Sequence, residues 1–251
     1  MTPMKRILLG LAIAVLWATT GAAQTKGAAA QAGTRACSPA GGGSLEAALT
    51  AMDRAAGAFR SAQMDFVWTT YQALPIEDRD EQSGAMYIRK EGGGLQLAAD
   101  IMNPPGQKKY VLYVDQTVQM YEPRLNRITR YKAGKHRDAF ESFLVLGFGG
   151  RGHELDQRFQ VHYCGMENAQ GGNTYRLDLV PKAGEVRRMF DRIVLWIDPA
   201  RGVSVQQKFF QPESQGYRLA VYSNIRLNQP VAGSVFSLKS RTNSKTETIE
   251  P

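Results

Sequence analysis

From Gln63 onward the large apolar residues of this chain recur at every second position, and they do so almost to its end. Met64, Phe66, Trp68 and Thr70 alternate with Asp65, Val67, Thr69 and Tyr71. Runs of the same kind follow at Ser83–Lys90, Leu95–Met102, Lys109–Asp115, Thr117–Glu122 and Arg127–Tyr131, parted by turns such as Glu91-Gly92-Gly93 and Pro104-Pro105-Gly106. After one interruption the pattern returns at Phe159–Tyr163, Tyr175–Leu179, Phe190–Asp198, Val203–Phe210 and Tyr217–Ile225, and a last short strand is expected near Phe236. A period of two is the period of a strand. Strands this closely spaced, with no strand–helix–strand repeat between them, predict one large antiparallel sheet and argue against a parallel α/β fold. A sheet of about ten strands tends to curl. Some strands are apolar on both faces, since Tyr110, Leu112 and Val114 alternate with Val111 and Tyr113.

Two segments depart from the pattern. Leu45, Leu49, Met52, Ala56 and Phe59 repeat at helical spacing behind Ser44, a good N-cap, and predict an amphipathic helix to about Arg60. The second is Asp138–Phe159, where Phe140, Phe143, Leu144, Leu146 and Phe148 are followed by a cluster of glycines. So many large apolar groups do not belong on a surface connection, and the segment predicts a short helix lying on a sheet face. Pro75–Glu81 reads as a charged loop. The fold class expected is mainly β with α (α+β). It is a large curved antiparallel sheet forming an unclosed β-barrel, its concave side covered by the N-terminal helix and a short helical lid.

The N-terminus sets the compartment. Met4-Lys5-Arg6 is a basic start, Ile7–Ala18 an apolar run too short to span a bilayer comfortably, and Gly21-Ala22-Ala23 a cleavage site. Residues 1–23 thus read as a signal peptide cut near Ala23, and the mature chain as an exported, periplasmic one. Cys37 follows Thr34-Arg35-Ala36, which is not a lipobox. Residues 24–43 read as a flexible leader, 44–238 as one domain and 239–251 as a polar tail. With 43% hydrophobic residues the chain can bury one sizeable core. Its formal charge of +8 falls by two when Lys5 and Arg6 leave with the leader. That favours acidic partners or anionic membrane surfaces without demanding nucleic acid. Two cysteines in an oxidising compartment suggest one disulfide, Cys37–Cys164, the alternative being two separate thiols.

Signals for other chemistry are thin. Gly147–Gly152 matches G-x-G-x-x-G, but a dinucleotide site needs a strand before it in a parallel βαβ unit, and here a helix-like segment precedes and antiparallel strands follow. His153-Glu154 lacks the second histidine of a zinc protease, no G-x-S-x-G elbow occurs, and His162 with Cys164 offers only two ligands. No catalytic centre, metal or cofactor is therefore expected. Arg124, Arg127, Arg130, Lys132, Lys135 and Arg137, with Tyr131 among them, form a basic run leading straight into the glycine-rich segment. It reads as a solvated edge, or as a contact for lipid headgroups.

Several short stretches, in order, resemble the periplasmic outer-membrane lipoprotein carrier (LolA-like) family. They are Gly84–Lys90, Asp115 with Val118–Pro123, Leu144–Gly150 leading into Leu155–Val161, Leu177–Pro181, Ile197-Asp198, Asn224–Asn228 and Phe236. The resemblance implies an unclosed antiparallel barrel whose apolar cavity, lidded by helices, holds acyl chains. It implies a monomeric carrier of lipoproteins, with an inner-membrane lipoprotein-releasing ABC transporter as donor and an outer-membrane acceptor. Cavity and lid candidates are Leu49, Met52, Met86, Ile88, Leu97, Phe140, Phe143, Leu144 and Phe148. The family's arginine-proline pair after the first hairpin strand is replaced by Lys90-Glu91, which makes Lys90 the lid latch and costs it the planar fork of an arginine. A C-terminal Pro-x-Gly is also missing after Phe236. A carrier of other lipids, or a lipid-sensing regulatory module of the same fold, are the alternatives.

Overall fold

The computed structural model describes residue 37 and residues 43–92, 94–132, 141, 146–212, 216–238, 242 and 247–249. The expected signal peptide and most of the expected leader lie outside them, as do Phe140, Phe143 and Leu144. The helix comes first, as α1 (Leu45–Ala58). The Ser44 side chain accepts the Ala47 N–H at its N-terminus, and the backbone turns to an extended conformation at Phe59. It ends two residues before the expected Arg60. No described helix is long and apolar enough to cross a membrane.

Six strands then follow as a meander, β1 (Ser61–Gln72), β2 (Asp78–Glu91), β3 (Gly94–Asn103), β4 (Lys109–Val114), β5 (Thr117–Glu122) and β6 (Arg127–Lys132). A short α2 (Leu155–Arg158) leads into a second meander. Its strands are β7 (Phe159–Ala169), β8 (Gly172–Pro181), β9 (Arg192–Ile197), β10 (Ser204–Phe210) and β11 (Tyr217–Leu227), with the one-turn α3 (Gly184–Arg187) between β8 and β9. The two meanders join where β1 pairs antiparallel with β11, Phe66 opposite Tyr222 and Trp68 opposite Ala220. A short β12 (Glu247–Ile249) completes one sheet of twelve described strands in the order β12-β6-β5-β4-β3-β2-β1-β11-β10-β9-β8-β7, and it does not close. The expected unclosed barrel is the fold observed.

Three local expectations are corrected. Asp78–Glu81, read as loop, belongs to β2, because Gln72 and Tyr71 pair with Asp78 and Arg79 and main-chain hydrogen bonds do not depend on the polar side chains, which are mostly exposed. Phe236 lies in a single 3-10 turn (Gly233–Phe236) and not in a strand. It packs on the outer face against Ala98, Leu112, Tyr121 and Ile128, with Leu238 beside it. Nor is the sheet antiparallel throughout, since β12, in the expected tail, pairs parallel with β6.

Strand alternation sorts the core into faces. Val111 and Tyr113 point inward, while Tyr110, Leu112 and Val114 lie under the C-terminal segment, so both apolar faces of β4 are accounted for. The concave face carries two packed clusters. One, over β1–β5 and β11, holds Phe66, Trp68, Met86, Ile88, Leu97, Tyr113 and Tyr222. The other joins α1 to β7–β10 through Leu49, Met52, Leu177, Leu179, Ile193 and Leu195.

Candidate functional site

The strand order decides what can cover the concave face. β6 lies beside one edge and β7 forms the other, yet they are neighbours in the sequence. The glycine-broken segment is part of the chain between them. Its described residues do lie over the inner face. Glu141 accepts a hydrogen bond from the Tyr113 hydroxyl of β4 at 2.7 Å. Leu146, Gly147 and Phe148 are buried in a turn over β10 and β11, on the other meander.

Polar contacts fix that turn. The Ser204 N–H donates to the Gly147 carbonyl at 2.8 Å, and the Gln207 side-chain amide donates to the Leu146 carbonyl at 2.6 Å. Gln207 in turn accepts from the Tyr222 hydroxyl at 3.1 Å, and the Phe148 ring meets the Tyr222 ring edge-on, centroids 4.9 Å apart. Phe148 therefore belongs to the first cluster, only 1% exposed.

The glycines serve packing and not a phosphate. Gly149, at φ +82, lies so close to Phe59 of the α1–β1 junction that a Cβ would stand 2.6 Å from the ring. Gly152 abuts the backbone of α1, where a Cβ would meet the Leu49 carbonyl oxygen at 2.5 Å. Just beyond, His153 clips the segment to the outside of α1. Its backbone N–H donates to Asp53 at 3.3 Å, its ring Nδ1 contacts the same carboxylate, and Nε2 lies 3.2 Å from Glu46. Hydrogen bonds to Asp53 first and Glu46 second raise the His153 pKa above its ordinary value. The Glu46 pKa is lowered chiefly by its bond to the ring. At Asp53 burial pushes upward, but the His153 bonds and charge outweigh it and the net shift is downward.

The candidate residues do not form one group. Met86, Ile88, Leu97 and Phe148 are buried in the first cluster, and Leu49 and Met52 in the second. Phe140, Phe143 and Leu144 lie outside the described residues. The Lys90 ammonium stands 5.6 Å over the Phe59 ring, the ring against which Gly149 packs, so it meets the covering segment at one remove. Between α1 and that segment a cavity of about 90 Å³ is lined by Met52, Leu146, Leu155 and Phe159, with Arg151, Glu154 and Arg158 around it. Ligand pockets usually measure about 300–1,000 Å³. Cys37 and Cys164 are joined as expected, which removes Cys164 as a thiolate ligand beside His162.

Sequence reasoning overlooked the polar groups among these apolar ones. Arg218 is 9% exposed on the concave face, its guanidinium 4.7 Å over the Trp68 ring and 5.9 Å over Phe209. Burial pushes its pKa down to about 10, which leaves it charged at neutral pH, and pushes the Tyr222 phenol up to about 12. The signal was in the strand pattern: Arg218 stands in phase with Ala220 and Tyr222, at a position where alternation reserves an apolar residue.

No protein-family model and no curated protein matches the chain. Among solved structures, an uncharacterized conserved protein from Thermus thermophilus superimposes with a TM-score of 0.52 at 8% identity, over 82% of this chain and 98% of that one. The likeness is one of fold. A LolA superfamily protein from Nitrosomonas europaea (TM-score 0.39, 12% identity, 78% of this chain and 98% of that one) is also among the structures found. So is the Mycobacterium tuberculosis lipoprotein LppX (TM-score 0.44, 14% identity, 75% and 97%).

Proposed function

We propose that this protein is a periplasmic carrier. It shields the acyl chains of lipoproteins beneath the covering segment and ferries them from the inner to the outer membrane. The observation that supports this most is the construction of the concave face. It is apolar across nearly all its strands, and among the described residues α1 and the glycine-broken segment cover it.

The physical need is plain. At about 0.8 kcal/mol per methylene, one acyl chain represents on the order of 10 kcal/mol of burial, so an acylated protein does not cross water unescorted. A cavity of about 90 Å³ is too small for such a chain, and loading requires the cover to move aside. Phe148 and Leu146 return to the Tyr222–Gln207 site when the cavity empties. Transfer is then a difference of affinities between donor, carrier and acceptor, with no covalent step in the carrier. The donor in this reading is an inner-membrane lipoprotein-releasing ABC transporter, the acceptor an outer-membrane protein, and the carrier a monomer.

Native mass spectrometry of the protein purified from periplasm tests the proposal. An acylated protein, or the mass of its acyl anchor, is the result expected. Phospholipid or glycolipid alone, together with failure to release lipoproteins from inner-membrane vesicles, would replace lipoprotein carriage with the carriage of other lipids. A stable complex with a membrane regulator and no transfer would make the chain a lipid sensor.

A further inference from the structure

β10 begins irregularly. Its pairing with β9 shifts register between Ser204 and Gln206, and a shift of this kind leaves a main-chain group out of the ladder. The Ser204 N–H is such a group, and it donates to the Gly147 carbonyl of the cover at 2.8 Å. Beside it the Gln207 side chain donates to the preceding carbonyl, that of Leu146, at 2.6 Å. The Tyr222 hydroxyl donates to the Gln207 Oε1 at 3.1 Å, which turns the amide nitrogen toward the cover. The Ser204 hydroxyl is engaged by the Gln206 carbonyl at 2.8 Å and takes no part in the contact. Ser204 is 0% exposed and Gln207 4%. Gly147, at φ +78, lets the turn come this near, since a Cβ there would stand 2.6 Å from the Ser204 Cβ and 2.8 Å from the Gln207 Nε2.

Among the described residues the acceptors of both donors belong to the cover, the segment that moves aside in the carrier reading. Leu146 and Gly147 present consecutive carbonyls, and the side chains of Leu146 and Phe148 beside them are buried. A pair of carbonyls joined to apolar bulk is also the make-up of a diacyl group. Lifting the cover strands two buried donors unless the ligand brings acceptors of its own, and a stranded donor costs more than a made hydrogen bond returns. A plain hydrocarbon chain leaves that cost standing, whereas an acyl chain carries a carbonyl oxygen at its head. We infer that the Ser204 N–H and the Gln207 amide form a carbonyl subsite, which takes the ester or amide oxygens of the cargo's acyl groups once the cover has left. The cover stands in for the cargo, its main-chain carbonyls in the place of acyl carbonyls and Leu146 and Phe148 in the place of tails. The inference rests on the carrier reading of the concave face and adds the part of the cargo that is recognised: the junction of chain and head, whatever the head group.

Monomeric diheptanoylphosphatidylcholine and its diheptyl ether analogue share a head group and a chain length, and only the first has carbonyls. Titration of the delipidated full chain with each gives the ratio of their affinities. The wild type is expected to favour the ester by roughly ten-fold, the net weight of one or two neutral hydrogen bonds. Gln207→Met fills the same space without a donor. It frees the Leu146 carbonyl and so loosens the cover toward both lipids alike, and the ratio between them is expected to fall several-fold. A ratio unchanged in Gln207→Met, or a wild-type ratio of one, overturns the subsite and leaves the carrier reading standing. A wild type that binds neither lipid overturns both. Should Gln207→Met lose its cooperative thermal transition, the Ser204 amide proton of the wild type decides by nuclear magnetic resonance. It is expected to keep a downfield, hydrogen-bonded shift in the ester complex and to move upfield in the ether complex, and the same shift in both overturns the subsite. An N-heptanoyl peptide, measured against the same ether lipid, separates amide from ester carbonyls: the probe whose advantage falls in Gln207→Met is the one the subsite takes.

Discussion

His153 meets Asp53 twice, once through its backbone N–H at 3.3 Å and once through its ring Nδ1. The two contacts tie the end of the covering segment to the outside of α1, and Glu46, in the first turn of that helix, holds the other ring nitrogen. The folded pKa of His153 is raised, so its pairing contributes fully below the ordinary value of 6.5 and is lost as pH rises through the raised value. The lowered pKa values of Asp53 and Glu46 place the acid limit: the pairing fails as pH falls through their folded values. Hydrogen exchange of 146–153, corrected for intrinsic rates, should therefore be faster at about pH 8.5 than at about pH 6. In His153→Gln the difference should vanish. Equal protection in both proteins at both values would show that the clip does not hold the segment.

Gly152 is the tightest joint between cover and helix. A methyl there meets the Leu49 carbonyl oxygen at 2.5 Å and the Leu49 Cα at 2.7 Å, and backbone atoms of a packed helix do not yield as a side chain does. Gly152→Ala is expected to cost about 1–3 kcal/mol, seen as a melting temperature lower by several degrees. A variant with unchanged stability would mean that the segment is able to lift from α1 at little cost.

Removal of the disulfide acts mainly on the unfolded chain. Cys37 and Cys164 lie 127 residues apart, and closing a loop of that length stabilises by roughly 4–5 kcal/mol in the chain-entropy account. Cys37→Ser with Cys164→Ser should lower the denaturant midpoint by a corresponding amount and leave the far-ultraviolet spectrum of the folded protein unaltered.

Lys90 offers a separation of latch from core. Its side chain is exposed and its contact with Phe59, at 5.6 Å, is worth at most about 1 kcal/mol. Lys90→Ala should leave the melting temperature nearly unchanged and speed the exchange of bound fluorescent fatty acid several-fold. An exchange rate equal to that of the wild type removes Lys90 from the latch.

The period-two pattern determined, by itself, the strands and the faces of each. Met64, Phe66 and Trp68, or Leu95, Leu97 and Ala99, declare which side is buried because a strand puts successive side chains on opposite faces. The cap at Ser44 and the apolar stripe through Leu49 and Met52 marked α1 just as directly. Local sequence also misled where hydrogen bonding came from elsewhere. The charged Asp78–Glu81 became strand because β1 was there to pair with it, and Phe236 was drawn into a turn by the outer face of β3–β6.

Which edges stay open was beyond any local pattern, because strand order is a property of the assembled sheet. Once β1 pairs with β11, β6 and β7 fall toward opposite ends of the sheet, and the described residues of the glycine-broken segment between them lie against the inner face. The same assembly brings Arg218, Trp68 and Gln207 onto one patch from three different strands. Each side chain was visible in the sequence, and Arg218 was even out of pattern. Their meeting depends on pairings between residues up to about 150 positions apart, which tertiary structure alone decides.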